Sequence, residues 1–182
     1  LIARLYASVN RRGRKAKLGL WFVALALVVV ALSRPQWGSE TEIIEQEGSQ
    51  VMIALDISNS MLAEDIKPNR LTRAKLEISD LMSKLGGDEV GLVLFSGAAF
   101  IQFPMTFDYT TARSFLENAH PGMISRQGTA IGEAIETAIK GFDETRPSQK
   151  VIIILTDGED HEGDPVKAAS DALDQGVLVY TV

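Results

Sequence analysis

Cysteine is missing from all 182 residues. That one absence excludes disulfides, zinc–thiolate sites and thiol nucleophiles, and it leaves the redox compartment undecided. Histidine occurs only as His120 and His161, far apart and without a ligand pattern, so both are expected to be structural or surface residues. No acidic residue precedes Glu40, whereas six of the 18 basic residues (Arg4, Arg11, Arg12, Arg14, Lys15 and Lys17) fall before residue 18. From residue 34 onward, 12 basic residues therefore face 24 acidic ones. A part that acidic has no basic face to neutralise phosphates, which argues against nucleic acid as a partner. No glycine-rich phosphate loop with its Lys and Ser/Thr is present, so Gly128 and Gly132 are expected to allow close backbone approach instead. The acidic run Glu159 to Asp164 lacks the spacing of a calcium-binding EF-hand loop and reads as a solvated rim. Internal repeats and low-complexity tracts are likewise absent, and the length suits one domain with a sizeable core.

What is present begins with an arm and an apolar run. LGLWFVALALVVVALS, Leu18 to Ser33, carries no charge and follows the basic arm directly. As a helix it spans about 24 Å at ~1.5 Å per residue, slightly short of a ~30 Å hydrocarbon core. Lys17 and Arg34 can snorkel, and Trp21 and Trp37 suit the two interfaces, so a membrane-spanning helix is expected. The positive arm then stays in the cytoplasm, and the acidic domain lies across the membrane. A cleaved signal peptide is the alternative, with Ala31 and Ser33 at the right spacing, but Arg-Pro makes a poor context after the cut. The expected organisation is a basic arm over 1–17, a transmembrane helix over 18–33, a polar linker over 34–50 and a folded domain over 51–182.

Within that domain VMIAL, EVGLVLFS, KVIIILTD and GVLVYTV are continuous apolar runs of strand length, as strands buried on both faces of a parallel sheet require. AAFIQFPM follows Gly97 and contains Pro104, which fits an edge strand paired as a hairpin. Between the runs the period turns helical. Leu71, Ala74, Ile78, Leu81, Met82 and Leu85 share one face, with Asn69 as N-cap and Gly86 as terminator. Asp108 caps a helix expected to bury Ala112, Phe115 and Leu116; a third helix after Thr129 buries Ile131, Ala134, Ile135, Ala138 and Phe142. A fourth opens on Asp164-Pro165 and ends near Gly176. This alternation predicts an α/β fold, a doubly wound, mostly parallel sheet with one antiparallel edge strand. The chain opens on Leu and stops inside a strand, so a fragment is expected, with at least one more helix and strand of the sheet missing beyond Val182.

Two of the buried strands end in acid: Asp56 after VMIAL and Asp157 after VIIILT. If the strands are neighbours where the winding reverses, the carboxylates face each other and a cation is needed to offset their repulsion. Ser58 and Ser60, spaced by two in a tight loop, can aim hydroxyls at the same point, and Thr129 stands at a glycine-preceded helix start. Asn59 occupies a tight-turn position, and Met61 is expected to pack beneath the loop. Two carboxylates and three hydroxyls select Mg2+ or Mn2+ over zinc or copper. Such an ion keeps a position open, which can accept a carboxylate from a protein partner.

D-x-S-x-S after a buried strand, a later G-T before a helix and T-D-G after another buried strand resemble the metal-ion-dependent adhesion site of von Willebrand factor type A domains. The likeness covers about Gln50 to Val182 and fills all five family metal positions: Asp56, Ser58, Ser60, Thr129 and Asp157. It implies direct binding of the metal by Ser58, Ser60 and, with ligand bound, Thr129, the aspartates acting largely through water. SRPQWG, DISNSMLAEDIKPNRL, VGLVLFSGAAFIQFPMTFDY, QGTAIGEAI and ILTDGEDHEG are similar to the bacterial Bat proteins, membrane-anchored members of the family associated with aerotolerance and stress. That resemblance implies partners among other Bat-like proteins and MoxR-type AAA ATPases, and no catalysis. The competing class is a magnesium-dependent phosphohydrolase with Asp56 as nucleophile. An enzyme of the haloacid-dehalogenase type usually places a second Asp two residues later as general acid, where this chain has Ser58.

Overall fold

The computed structural model describes residues 11–32, 48–158 and 164–182. It divides into two units, helix α1 (Arg11–Leu32) in one and everything from strand β1 (Gln50–Asp56) onward in the other. Arg34, Trp37, the cleavage-site Ser33, most of the polar linker, and His161 with most of the acidic run around it lie outside the described residues.

Helix α1 starts inside the stretch that composition marks as the basic arm. Arg, Lys, Ala and Leu are good helix formers and no proline interrupts them, so the helix of the apolar run extends back to Arg11 within the arm. Over Lys15–Leu32 its mean hydropathy is 2.0 and none of it is buried. Those 18 residues measure about 27 Å along the axis, which makes α1 a candidate membrane span by length and composition.

The second unit is a five-stranded sheet in the order β3-β2-β1-β4-β5, formed by β1, β2 (Glu89–Phe95), β3 (Ala99–Thr106), β4 (Lys150–Leu155) and β5 (Val177–Thr181). All neighbours are parallel except β3, which runs antiparallel to β2 at one edge, where Pro104 removes no central ladder bond. The expected doubly wound sheet with an antiparallel edge is thus the fold. Val51, Ile53 and Leu55 of β1 enter one core, beneath α2 (Arg70–Lys84) and α3 (Tyr109–Glu117). Met52 and Ala54 enter the other, beneath α4 (Ile131–Ile139) and α5 (Pro165–Asp174). Because successive strand residues point to opposite faces, a strand covered on both must be apolar throughout, and every residue of β1 is buried.

The caps fall where side-chain chemistry places them. Asn69 accepts the Thr72 N–H at 2.7 Å, Asp108 accepts from Thr110 and Thr111, and Asp164 accepts the Lys167 N–H with Pro165 next to it. Three expectations change. Helix α2 stops at Lys84 with Leu85 as its cap, and the left-handed glycine is Gly87, at φ 103°, rather than Gly86. Phe115 is 42% exposed: Ala112 and Leu116, one turn apart, already fill the sheet-facing stripe, and its ring leans on Phe103 of the edge strand instead. A Cβ on Gly132 would meet nothing closer than 3.9 Å, so close approach is not what that glycine provides.

Gln50, at the end of the polar lead-in, already belongs to β1 and is fully buried. Its Nε2 donates to the Asp143 carbonyl at 3.0 Å and the Ser148 hydroxyl at 2.6 Å, while Oε1 accepts the Asp143 N–H at 2.7 Å. The amide thereby pins the 143–148 loop to the central strand. Gln50→Leu strands both backbone groups of Asp143, and urea unfolding should show a loss of about 2–3 kcal/mol.

Candidate metal centre

Strands β1 and β4 are parallel neighbours with Leu55 opposite Leu155, and from β1 the sheet extends to β2 and β3 on one side and to β4 and β5 on the other. The crevice beyond the carboxyl ends of such strands is where open α/β sheets hold ligands. Asp56 is the last residue of β1, and Asp157 stands just past the end of β4.

Asp56 is completely buried. Its Oδ1 accepts the Ser58 N–H at 2.7 Å and its Oδ2 accepts the Thr156 hydroxyl at 2.8 Å. Burial pushes its carboxyl above the ordinary value; donors from Ser58 and Thr156 pull it back, and the negative charge of Asp157 adds to the rise. The backbone after Ser58 then closes into a 3₁₀ turn, Asn59–Leu62, with the Met61 N–H on the Ser58 carbonyl. This turn returns the Ser60 hydroxyl to within 2.8 Å of the Ser58 hydroxyl. Met61, only 3% exposed, packs beneath the loop as expected.

Thr129, also buried, is held by Ser96, the residue that follows β2. The Ser96 carbonyl accepts the Ala130 N–H at 2.7 Å and its hydroxyl donates to the Gly128 carbonyl at 3.0 Å. Ile57, next to Asp56, donates its N–H to the Phe95 carbonyl, so the Asp56 strand end and the Thr129 loop are fastened to consecutive residues. Two glycines make this possible. Gly128 lies at φ 133°, and a Cβ on Gly97 would stand 2.6 Å from the Gln127 carbonyl oxygen.

The Asp157 side chain is 4% exposed, and its Oδ2 accepts from Arg70 Nη1 at 3.0 Å. Arg70 opens α2 and turns the rest of its fork outward: Nε and Nη2 donate to the Asp65 carboxylate at 2.8 to 3.2 Å. The guanidinium holds the Asp65 carboxyl below the usual carboxylate range.

Asp56, Ser58, Ser60 and Asp157 thus gather at one sheet end, with the Thr129 loop fastened beside them. Four supporting residues carry no role in the motif reading. Thr156 stands inside T-D-G and could have been read as a second donor; Ser96 and Gly97 punctuate the end of an apolar run; Arg70 sits at a helix start and gives no periodic signal. Among the described residues no three of His, Cys, Asp and Glu gather in one place. Two carboxylates whose charges oppose each other, one wholly buried, beside paired hydroxyl oxygens fit a hard divalent cation and offer no soft ligand.

A von Willebrand factor type A domain model matches residues 51–159. The chain belongs to the von Willebrand factor type A family. Solved structures similar to it include the conserved hypothetical protein BatB of Bacteroides thetaiotaomicron, 51% identical with a TM-score of 0.72 over 74% of this chain and 65% of that one. An aerotolerance-related membrane protein of Bacteroides fragilis NCTC 9343 is 48% identical with a TM-score of 0.71 over 74% of this chain and 66% of that one. A UPF0353 protein of Mycolicibacterium paratuberculosis is 28% identical over 93% of this chain and 54% of its own length. This chain therefore spans about half the length of that curated relative and about two thirds of the two solved ones. Asp56 ends β1, and Ser58, Ser60, Thr129 and Asp157 lie outside the strands; the Bat-like proteins are near relatives of the chain.

Proposed function

We propose that the domain is a non-catalytic interaction module that holds Mg2+ or Mn2+ with Asp56, Ser58, Ser60, Thr129 and Asp157. Through that ion it takes an acidic side chain of a protein partner. The observation that carries the reading is the convergence of the Ser58 and Ser60 hydroxyls, 2.8 Å apart, beside the buried Asp56 and its neighbour Asp157. When bound, the cation supplies an open coordination position for a carboxylate oxygen. The chain's own residues do the rest: Ser58 N–H and Thr156 fix both oxygens of Asp56, and Ser96 fixes the Thr129 loop. Both oxygens of Asp56 are engaged by donors, and Ser58 stands where a phosphohydrolase needs an acid, so a nucleophilic role is disfavoured.

Helix α1 tethers the module to the bacterial inner membrane, and the basic residues before Leu18 keep that end in the cytoplasm, leaving the domain outside. A part in stress response or aerotolerance, with other Bat-like proteins and a MoxR-type ATPase as partners, belongs to the same proposal; the aerotolerance-related relative from Bacteroides fragilis supports the aerotolerance part alone. Pull-downs from membranes with the full chain should capture a partner in Mg2+, lose it in EDTA, and lose it in Asp56→Ala. Magnesium-dependent hydrolysis of p-nitrophenyl phosphate that Asp56→Ala abolishes would overturn the binding reading in favour of the phosphohydrolase. A reporter fused after Val182 that is active only in the cytoplasm would reverse the orientation.

A further inference from the structure

Arg70 stands between two carboxylates in different settings. Asp65 is an exposed residue of the 63–69 segment, whereas the Asp157 side chain is 4% exposed beside the candidate metal centre. The guanidinium uses its whole fork: Nε and Nη2 close on Asp65, and Nη1 reaches Asp157 Oδ2 at 3.0 Å. Its backbone is anchored as well. The Arg70 N–H donates to the Ala63 carbonyl at 3.1 Å, closing the 63–69 segment on itself, and the neighbouring Asn69 caps the helix. One residue at a helix start thus joins that segment to the Asp157 carboxylate by backbone and side chain together.

Asp157 lies beyond the end of β4, followed by Gly158 at φ 83°. A carboxylate that serves a metal does so only in the right orientation, and the groups behind it set that orientation. A planar guanidinium holds two carboxylates at a defined mutual angle; an ammonium is a point charge and does not.

We propose that Arg70 is a positioning residue for the cation site: it fixes the rotation of the Asp157 carboxylate and couples the site to the 63–69 segment through Asp65. The proposal rests on the cation reading given above. Cation occupancy and the posture of the 63–69 segment then change together, so the segment reports the state of the site to whatever protein rests on it.

The test uses Mn2+ alone, titrated into the full chain in detergent and followed by the electron paramagnetic resonance of free Mn2+, with hydrogen exchange of the 63–69 amides measured in parallel. Arg70→Ala should weaken Mn2+ binding about tenfold or more, the scale on which outer-shell partners of metal sites act. Arg70→Lys keeps the charge without the fork and should fall between the two. Asp65→Asn, which cuts only the outer contact, should weaken binding by a smaller factor, about threefold on the same scale. Mn2+ should slow exchange of the 63–69 amides in the wild type and leave it unchanged in Arg70→Ala. Unchanged or tighter Mn2+ binding in Arg70→Ala overturns the proposal, and so does wild-type exchange that is blind to Mn2+. If Arg70→Ala does not fold, Arg70→Lys and Asp65→Asn decide: wild-type affinity in both overturns it. A wild-type chain that takes up no Mn2+ removes the cation reading and this proposal with it, an outcome distinct from failure of the variants alone.

Discussion

Mn2+ at about a hundred times its dissociation constant should raise the thermal midpoint of the sheet domain by roughly 8–10 °C, and Asp56→Asn should abolish that rise. The size follows from mass action: a ligand at that excess contributes about 2.7 kcal/mol to the folded state, and a domain of this size shifts by about 3–4 °C per kcal/mol. The same substitution should raise the midpoint of the cation-free protein at neutral pH. Asp56 is wholly buried and its carboxyl is pushed up from the ordinary 3.8 by that burial first, with Asp157 adding to the rise. The folded state therefore holds the Asp56 proton more readily than the unfolded chain does. Below the unfolded value the group is protonated in both states and costs nothing; as pH rises from there through the raised folded value, stability is progressively lost. The advantage of Asp56→Asn over the wild type should be absent below the unfolded value and grow as pH rises through the raised folded one. Scanning calorimetry with and without Mn2+ checks both halves. A wild-type midpoint indifferent to Mn2+, or a cation-free Asp56→Asn less stable than wild type at pH 7, would refute the account of Asp56.

Met52→Ala should be among the most damaging truncations in the core, costing about 4–5 kcal/mol, the upper end for large-to-small changes. Met52 is fully buried at the centre of the sheet. Its side chain fills space left open by two glycines. A Cβ on Gly91, its register partner on β2, would stand 2.8 Å from the Met52 sulfur, and a Cβ on Gly141, just past α4, would stand 2.5 Å from its terminal methyl. Cavity cost depends on how far the walls can relax inward, and glycines have no side chain to swing into the void. The rescue is equally specific. Gly141→Ala alone crowds Met52, but in the Met52→Ala background it should restore about 1 kcal/mol by placing a methyl in the vacated volume. Equilibrium urea unfolding of the two single variants and the double variant forms the cycle, and purely additive effects would remove the proposed contact.

How much was legible can be seen residue by residue. The β1 run announced a strand covered on both faces because alternation is lost only when neither face is wet, and Asn69, Asp108 and Asp164 announced helix starts because short polar side chains capture free N–H groups. Pro104 marked the edge strand for the same local reason. Asp56, Ser58 and Ser60 were legible as a cluster from spacing, since a tight turn returns residues two apart to one side. Helical periodicity predicts a stripe about 100° wide that includes Phe115, but not which border residue is left out when two smaller ones suffice. Gln50 reads as lead-in in the sequence because its partners, Asp143 and Ser148, lie almost a hundred positions away and no local pattern points to them. Arg70 gives no signal for a related reason: Asp157, the acid that ties it to the site, lies 87 positions away and is brought near by the pairing of β1 with β4.

Hairpin turns at a sheet edge are ordinarily the places where a chain accepts inserted residues. The turn between β2 and β3 is a poor candidate. Ser96 carries the Thr129 loop on its carbonyl and hydroxyl, and Gly97 is pressed against the 126–127 backbone. An extra residue there would lengthen the connection on which the oxygen cluster is hung, so a tag or a fused domain belongs elsewhere in the sequence.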